Sequence, residues 1–224
     1  MKLLVITYHY YQDSSPRAIR WTSICEQWAK LGHDVHIVTA YQQGRARTEG
    51  NQGVLVHQAG GWVLEGFREW AKGSKTESRV DRAATASFSD SGASETPYGA
   101  SWIKWLLKVI HDLTWRKIYW PDATCSWIWP AWRYSRNLCC HESFDALITV
   151  SHPFSDHVVG LLLKQAFPYL PWLADSGDPF CFMEQSEPNN FWLYRKLNYW
   201  IERKLMYSVD HFTVTTEGTA EIYR

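Results

Sequence analysis

The sequence has no hydrophobic run that could cross a membrane, because none of its uncharged apolar stretches reaches the necessary length of about 18 residues. Its N-terminal apolar run, Leu3 to Ile6, is too short for the hydrophobic region of a secretory signal peptide. The five cysteines include no Cys-x-x-Cys pair, which argues against a zinc site and against a disulfide framework. We therefore expect reduced thiols and a cytoplasmic location.

An excess of charge of either sign is also absent, since Lys plus Arg and Asp plus Glu both number 23. Without a net basic field, nucleic acid is a poor candidate partner. Residues 8–17, between the first predicted strand and helix, contain no glycine, so neither a GxGxxG fingerprint nor a P-loop occurs there. This absence disfavours a dinucleotide or a tightly wrapped triphosphate as the ligand.

What the sequence does contain is an alternation of short apolar runs with helical periodicity. Leu3 to Thr7 predicts a buried strand, and a serine pair followed by Pro16 is typical of a helix start. Apolar residues then recur at helical spacing as far as Leu31, and Val35 to Thr39 predicts a second strand. Together these segments predict a βαβ unit.

The alternation continues along the chain. Further strands are predicted at Val54 to His57, Asp145 to Val150, Pro171 to Asp175 and Asp210 to Thr216. Helices are predicted from Phe154 to Ala166 and from Phe191 to Val209, the second with Leu193, Leu197, Trp200, Ile201 and Leu205 on its apolar side. This order predicts an α/β, Rossmann-like single domain over residues 1–224, with a mostly parallel sheet and helices on both faces.

Two segments interrupt this pattern. Residues 60–100 lose periodicity and fill with small and polar residues, which predicts a mobile insertion. Residues 101–134 predict amphipathic, Trp-rich helices that also carry Lys and Arg. Two interpretations of these helices stay open, namely core packing with a solvated basic face, or contact with a membrane surface.

Candidate site residues follow from the expected sheet, because open α/β sheets bind ligands beyond the carboxyl ends of their strands. Three loops lie there, at residues 8–17, 151–153 and 176–180. In the first loop, Ser14, Ser15 and Arg17 surround a helix start, where free N–H groups and the helix dipole favour a phosphate.

Each charged or titratable candidate has two open interpretations. Arg17 is either a phosphate contact or a solvated residue of the first helical turn. His152 either serves the site or is a hydrogen-bonded structural histidine. Asp175 and Asp178 either orient an acceptor hydroxyl or bond backbone N–H groups of their own turn. For His157, on the predicted buried helix, a core or capping role is expected.

Four stretches, taken in order, carry a resemblance to a known family. They read YYQDSSPRAIRWTSICEQWAKLGHDVHIVT, DALITVSHPFSDHVVGLLLK, PWLADSGDPF and ERKLMYSVDHFTVTTEGTAEIYR. The ordered set resembles the N-terminal domain of family 4 glycosyltransferases, whose GT-B architecture consists of two Rossmann-like domains. The resemblance covers Met1 to Thr39 and Asp145 to Arg224.

The resemblance implies a function for the chain. In such enzymes the N-terminal domain mainly binds the acceptor, and a C-terminal domain, absent from this sequence, mainly binds the donor. The chain would be the acceptor-binding half of a retaining glycosyltransferase that moves a sugar from a nucleotide sugar to a glycan or lipid-linked acceptor, in cell-surface or exopolysaccharide biosynthesis. No metal or other cofactor is implied, and we expect the chain to be inactive alone and peripheral on the inner face of the membrane.

The resemblance also implies roles for particular residues. The donor-phosphate-facing loop would hold Asp13, Ser14, Ser15 and Arg17; catalytic positions would be His152, Asp175 and Asp178; acceptor contacts would be Ser151, His152 and Asp178. One departure concerns residues 175–179, which read DSGDP where exopolysaccharide-type members have DxRDP. Gly177 therefore removes one cation from the site.

Two other classes of function remain open at this point. The first is a binding or partner module on the same fold that never catalyses. The second is a nucleotide-dependent oxidoreductase or another Rossmann enzyme, against which the absence of GxGxxG already counts.

Overall fold

A computed structural model describes residues 1–10, 15–42, 46–51, 53–60, 119–182 and 189–223. The described residues belong to one compact unit, built from the segments 1–60 and 119–224. The predicted mobile insertion, apart from Gly60, and residues 101–118 of the predicted Trp-rich helices lie outside the described residues.

Seven strands form a single sheet. They are β1 (Lys2–Ile6), β2 (Asp34–Ala40), β3 (Thr48–Asn51), β4 (Val54–Ala59), β5 (Ala146–Ser151), β6 (Trp172–Ser176) and β7 (His211–Val214). Their order across the sheet is β3-β4-β2-β1-β5-β6-β7, and every neighbouring pair is parallel except β3 with β4. Successive parallel strands are thus added outward from the centre of the sheet, first on the β1 side and then on the β5 side, as in a doubly wound Rossmann-like sheet.

Helices cover both faces of this sheet. The described helices are α1 (Pro16–Lys30), a 3-10 turn (Cys125–Trp127), α2 (Ile128–His141), α3 (Ser155–Ala166), α4 (Phe191–Ser208) and α5 (Glu217–Tyr223). On one face Trp21 and Cys25 of α1 pack with Val5 and Ile37 of the central strands. On the other face lie α2, α3, α4 and the 3-10 turn, with a second core that includes Leu4, Ile6, Trp127, Leu163, Trp172, Phe180 and Leu205. The predicted α/β fold with helices on both faces is confirmed.

Local sequence signals fix the helix starts. The side chain of Ser15 accepts a hydrogen bond from the N–H of Ala18 at 3.2 Å, and Pro16 occupies the first helical position of α1. Asn190 caps α4 in the same way through the N–H of Leu193. Both predicted starts are confirmed, because side-chain oxygens satisfy N–H groups that the helix itself leaves without partners.

Strand β3 was not predicted. Its sequence, TEGN, has no alternation of apolar residues, because an edge strand that pairs on one side only has little surface to bury. Its antiparallel pairing with β4 is made by a short connection in which Gly53 has a φ of 85°. Glycine adopts this left-handed conformation without steric cost.

The predicted apolar side of α4 is correct at Ile201 and Leu205 but wrong at Leu193, Leu197 and Trp200, which are exposed. Leu193 and Trp200 are 55% and 52% exposed, whereas the buried set is Asn198, Ile201, Glu202 and Leu205. The difference arises because the buried polar residues have partners inside the fold. Asn198 accepts from the indole N–H of Trp120 at 2.9 Å, and Glu202 accepts from the N–H of Phe180 at 3.1 Å.

Helix α3 lies unusually close to the sheet at Gly160. A Cβ atom added there would lie 2.6 Å from Cγ2 of Thr149 and 2.7 Å from the ring of Trp172. Seven of the twelve residues of α3 are buried, as expected for the helix predicted to be apolar nearly all round. Within the part of the chain that the structure describes, no helix combines the length and the apolar character needed to span a membrane.

We predict that Gly160→Ala destabilises the protein. The added methyl group would overpack the α3–sheet contact at a cost of about 1–3 kcal/mol, which exceeds the gain of about 1 kcal/mol from better helix propensity. Urea unfolding should show a lower midpoint for this variant. The matched control is Gly218→Ala in α5, where the added Cβ meets nothing within 4 Å. Equal unfolding midpoints for Gly160→Ala and the wild type would contradict the prediction.

Candidate functional site

The candidate site lies where the order of the parallel strands reverses, between β1 and β5. Strand β1 pairs with β2 on one side and with β5 on the other, so the loops after β1 and β5 diverge and leave a crevice at their carboxyl ends. The loop after β6 borders the same end of the sheet. Of the first loop, Ser15 and Arg17 are described, whereas Asp13 and Ser14 lie outside the described residues.

Arg17 brings the three loops together. From the first turn of α1, its Nη1 donates to the carbonyl oxygen of His152 at 3.2 Å, and its Nη2 donates to Oδ2 of Asp178 at the same distance. The side chains of Arg17 and Asp178 both remain partly exposed to solvent. The structure therefore places one predicted residue from each loop in a single cluster with one guanidinium at its centre.

Gly177 makes room for this guanidinium. A Cβ atom at this position would lie 2.6 Å from Nη2 of Arg17. The turn is closed around it by two further bonds, from Ser176 Oγ to the carbonyl of Asp178 at 2.8 Å and from Thr215 Oγ1 to the carbonyl of Gly177 at 2.7 Å. The guanidinium of Arg17 thus occupies the space that a side chain at position 177 would fill.

Ser151 and His152 line the end of β5 with polar atoms that have no protein partner. Ser151 is fully buried, and both its Oγ and Nε2 of His152 lack a hydrogen-bond partner among the described residues. Burial, and after it the positive charge of Arg17, lowers the pKa of His152. The imidazole is therefore neutral near pH 7, with a ring nitrogen that could bond a ligand hydroxyl.

Asp175 and Asp178 differ in how many hydrogen bonds their carboxylates accept from the protein. Oδ2 of Asp175 accepts from the guanidinium of Arg20 and, at 2.9 Å, from the indole N–H of Trp21, while its Oδ1 accepts from Thr213 at 2.9 Å. This carboxylate is buried and bonded at both oxygens, but by side chains of other elements rather than by the backbone N–H groups of its own turn. Asp178 is exposed and bonds only through Oδ2 among the described contacts.

Sequence reasoning assigned no site role to Asp156, which the structure places beside the cluster. The residue is completely buried in the first turn of α3, and its Oδ2 accepts from the N–H of Tyr8 at 2.9 Å. Its Oδ1 has no hydrogen-bond partner in the described protein. Burial raises the pKa of Asp156 well above 3.8. The sequence feature that could have identified Asp156 is a single carboxylate in a mostly apolar predicted helix that follows a predicted strand.

His157, the next residue, points to a different partner. Its Nδ1 lies 2.7 Å from Oγ1 of Thr149, which also accepts from the indole of Trp172, and burial lowers the pKa of His157 to about 3. The predicted core role of His157 is confirmed. No group of three or more His, Cys, Asp or Glu side chains suited to a metal ion occurs among the residues that the structure describes.

The N-terminus of α3 is already bonded within the protein. Asp122 accepts from the N–H of Ser155 at 2.9 Å and from its Oγ at 2.7 Å, and it also accepts from Thr124. An anion would therefore meet the carboxylate of Asp122 at this helix start. The start of α1, with Arg17 in its first turn, is the better place for a phosphate.

These groups define what the site can do chemically. Arg17 can donate two charge-assisted hydrogen bonds to a phosphate, and a neutral His152 and an exposed Asp178 can bond hydroxyl groups. The described residues of the cluster include no Ser, Cys or Lys held by an adjacent base, which a nucleophile would need. The arrangement fits binding and electrostatic stabilisation of a phosphorylated, hydroxyl-rich ligand.

Comparisons with known proteins support the fold. No family model matches the sequence, and no curated protein matches it. A solved structure with a similar fold is a sucrose-phosphate synthase from Thermosynechococcus elongatus, with a TM-score of 0.58 and 11% sequence identity. The match covers 99% of this chain but 44% of the synthase, so the chain spans less than half of that protein. The similarity shows the Rossmann-like fold and nothing finer.

The buried carboxyl group of Asp156 yields a pH-dependent prediction. Because its folded pKa lies well above 3.8, the folded protein keeps a proton that the unfolded chain releases as the pH rises above that value. The contribution of Asp156 to the free energy of unfolding therefore decreases as the pH rises from the unfolded pKa to the folded pKa of this group. Asp156→Asn releases no proton and keeps an oxygen for the N–H of Tyr8. Its stability relative to the wild type should increase with pH, by at most about 1.4 kcal/mol per pH unit.

Urea unfolding of both proteins at several pH values between about 4 and 8 measures this difference directly. Histidines with lowered pKa values, such as His157, act in the opposite direction but are present in both proteins, so the comparison largely cancels them. A stability difference that stays constant over this range would contradict the assignment of a protonated Asp156.

Proposed function

We propose that the chain is the acceptor-binding half of a retaining glycosyltransferase of the GT-B type. It would act with a donor-binding domain to move a sugar from a nucleotide sugar to a glycan or lipid-linked acceptor, in the assembly of a cell-surface polysaccharide. The observation that carries this proposal is the cluster of Arg17, His152 and Asp178 at the point where the strand order reverses. The fold similarity to a sucrose-phosphate synthase supports it.

The donor side of the proposed site is the start of α1. From the first turn of the helix, Arg17 offers positive charge to the diphosphate of a nucleotide sugar, together with the loop that includes Asp13, Ser14 and Ser15. In this role Arg17 would stabilise the charge that develops on the departing nucleoside diphosphate. No step in this scheme needs a metal ion, since the charge is met by a guanidinium and backbone dipoles.

The acceptor side of the proposed site is formed by the loops after β5 and β6. The exposed Asp178 would bond an acceptor hydroxyl, and the buried Nε2 of His152 and Oγ of Ser151 would supply further polar atoms to the acceptor. Asp175 would act as a positioning residue rather than a catalytic one, because both of its oxygens bond the protein.

A phosphate bound by Arg17 must compete with Asp178. The Oδ2 atom of Asp178 lies 3.2 Å from Nη2 of Arg17, so this carboxylate neutralises the guanidinium. The ion pair is partly exposed, so its separation costs little in water. A ligand diphosphate with two negative charges therefore competes well for the N–H donors of the Arg17 guanidinium. Release of Asp178 would then free Oδ2 for an acceptor hydroxyl.

Donor binding by the isolated chain tests the half-site proposal. One wall of a cleft encloses little of a nucleotide sugar, so we expect dissociation constants for UDP- and GDP-sugars no tighter than about millimolar, and no sugar transfer by residues 1–224 alone. Titration calorimetry and a transfer assay, with and without a donor-binding domain supplied in trans, measure both. Micromolar donor binding, or turnover by the chain alone, would contradict the proposal. Transfer that never appears with any such domain would favour a non-catalytic binding module.

Two substitutions test the guanidinium that carries the proposal. Arg17→Gln removes the cation, and Gly177→Ala displaces it, because the added Cβ would lie 2.6 Å from Nη2 while the Gly177 backbone needs no left-handed φ. Each variant should weaken the binding of UDP, followed by phosphorus NMR, by about tenfold, the loss of one charge-assisted interaction. Arg133→Gln, at an exposed arginine of α2, is the matched control and should bind as the wild type does. Unchanged binding in both test variants would contradict the assigned phosphate site.

A further inference from the structure

Helix α4 presents an unusual surface to solvent. Six exposed residues lie within one face of this 18-residue helix, and we call them the α4 outer face: Trp192, Leu193, Lys196, Trp200, Arg203 and Tyr207. Trp192 is 90% exposed and Tyr207 is 78% exposed. Single exposed apolar residues are ordinary on protein surfaces, but four large ones on one face of one helix form a patch that calls for a partner.

The charge on this face has one sign. Lys196 and Arg203 belong to it, Lys204 lies along its border, and the one acidic residue of α4, Glu202, is buried on the opposite side. The whole chain has equal numbers of acidic and basic residues, so this is a local basic surface within a neutral protein. Its partner should therefore be anionic.

Two cations of α4 lie over aromatic rings. The Nζ of Lys204 is 5.2 Å from the ring centre of Trp200, and the guanidinium of Arg203 is 5.5 Å from that of Tyr207. Such pairs hold the charged groups beside the rings. The same surface can then bind anions through its cations and contact an apolar phase through its rings. Trp and Tyr rings prefer the boundary between an apolar phase and water for the same reason.

We propose that the α4 outer face docks the protein on an anionic lipid bilayer, with the helix lying in the plane of the interface. The rings of Trp192, Trp200 and Tyr207 would enter the headgroup region, and Lys196 and Arg203 would bond lipid phosphates. A protein partner fits less well, because Lys196 sits between Trp192 and Trp200 at the middle of the face, where protein interfaces are depleted of lysine. This proposal does not depend on sugar transfer.

The whole chain is tested by sedimentation with vesicles of pure phosphatidylcholine and with vesicles that also contain phosphatidylserine. We expect binding to the anionic vesicles that weakens as salt is added, and little binding to the neutral ones. Trp200→Ala should lower the partition coefficient about tenfold and Lys196→Gln about fivefold. Both side chains are exposed, so the folded state should survive, and circular dichroism of the variants checks this.

Matched controls are available elsewhere on the surface. Tyr169→Ala removes an almost fully exposed ring between α3 and β6, and Lys30→Gln removes an exposed lysine at the end of α1. Both controls should bind anionic vesicles as the wild type does. Equal binding to the two kinds of vesicle, or test variants that match the controls, would overturn the proposal. Concentration-dependent dimers in size-exclusion chromatography, lost in Trp200→Ala while vesicles remain unbound, would instead assign the face to self-association.

Discussion

The candidate site depends on the hydrogen bonds of the Asp175 carboxylate, because they join helix α1 to strands β6 and β7. Arg20 and Trp21 reach it from α1, and Thr213 reaches it from β7. A buried carboxylate is tolerated only while its hydrogen-bond partners are in place, so the three elements hold one another in register. Arg17, about one helical turn before these partners, is thereby fixed over the loops after β5 and β6.

The strands and helices of the doubly wound sheet could be predicted because their periods are strong. Buried parallel strands such as Leu3 to Thr7 read as continuous apolar runs, and Pro16 and Asn190 mark helix starts by a local mechanism that needs no tertiary contact. The same logic could not find β3, whose polar edge buries little, nor orient α4, where Asn198 and Glu202 are drawn inward by partners far away in the sequence.

The sequence could predict which loops form the candidate site, but not the contacts of each residue in it. The rule that ligands bind at carboxyl ends of strands selected the loops that hold Arg17, His152 and Asp178, and these do meet. The sequence gives no way to tell Asp175 from Asp178, which lie close together in one turn. In the structure Asp175 is buried and accepts hydrogen bonds at both oxygens, whereas Asp178 faces solvent. Burial and long-range partners decide such roles, and neither is encoded by spacing along the chain.

The close approach of Arg17 to Gly177 couples two positions that are 160 residues apart in the chain. Only one long cationic side chain fits the space between them, because a second would meet the first in both volume and charge. Across related sequences these two positions should therefore covary, with an arginine at one and a small residue at the other. One positive charge at this place can therefore be supported by the helix or by the strand-end turn, but not by both at once.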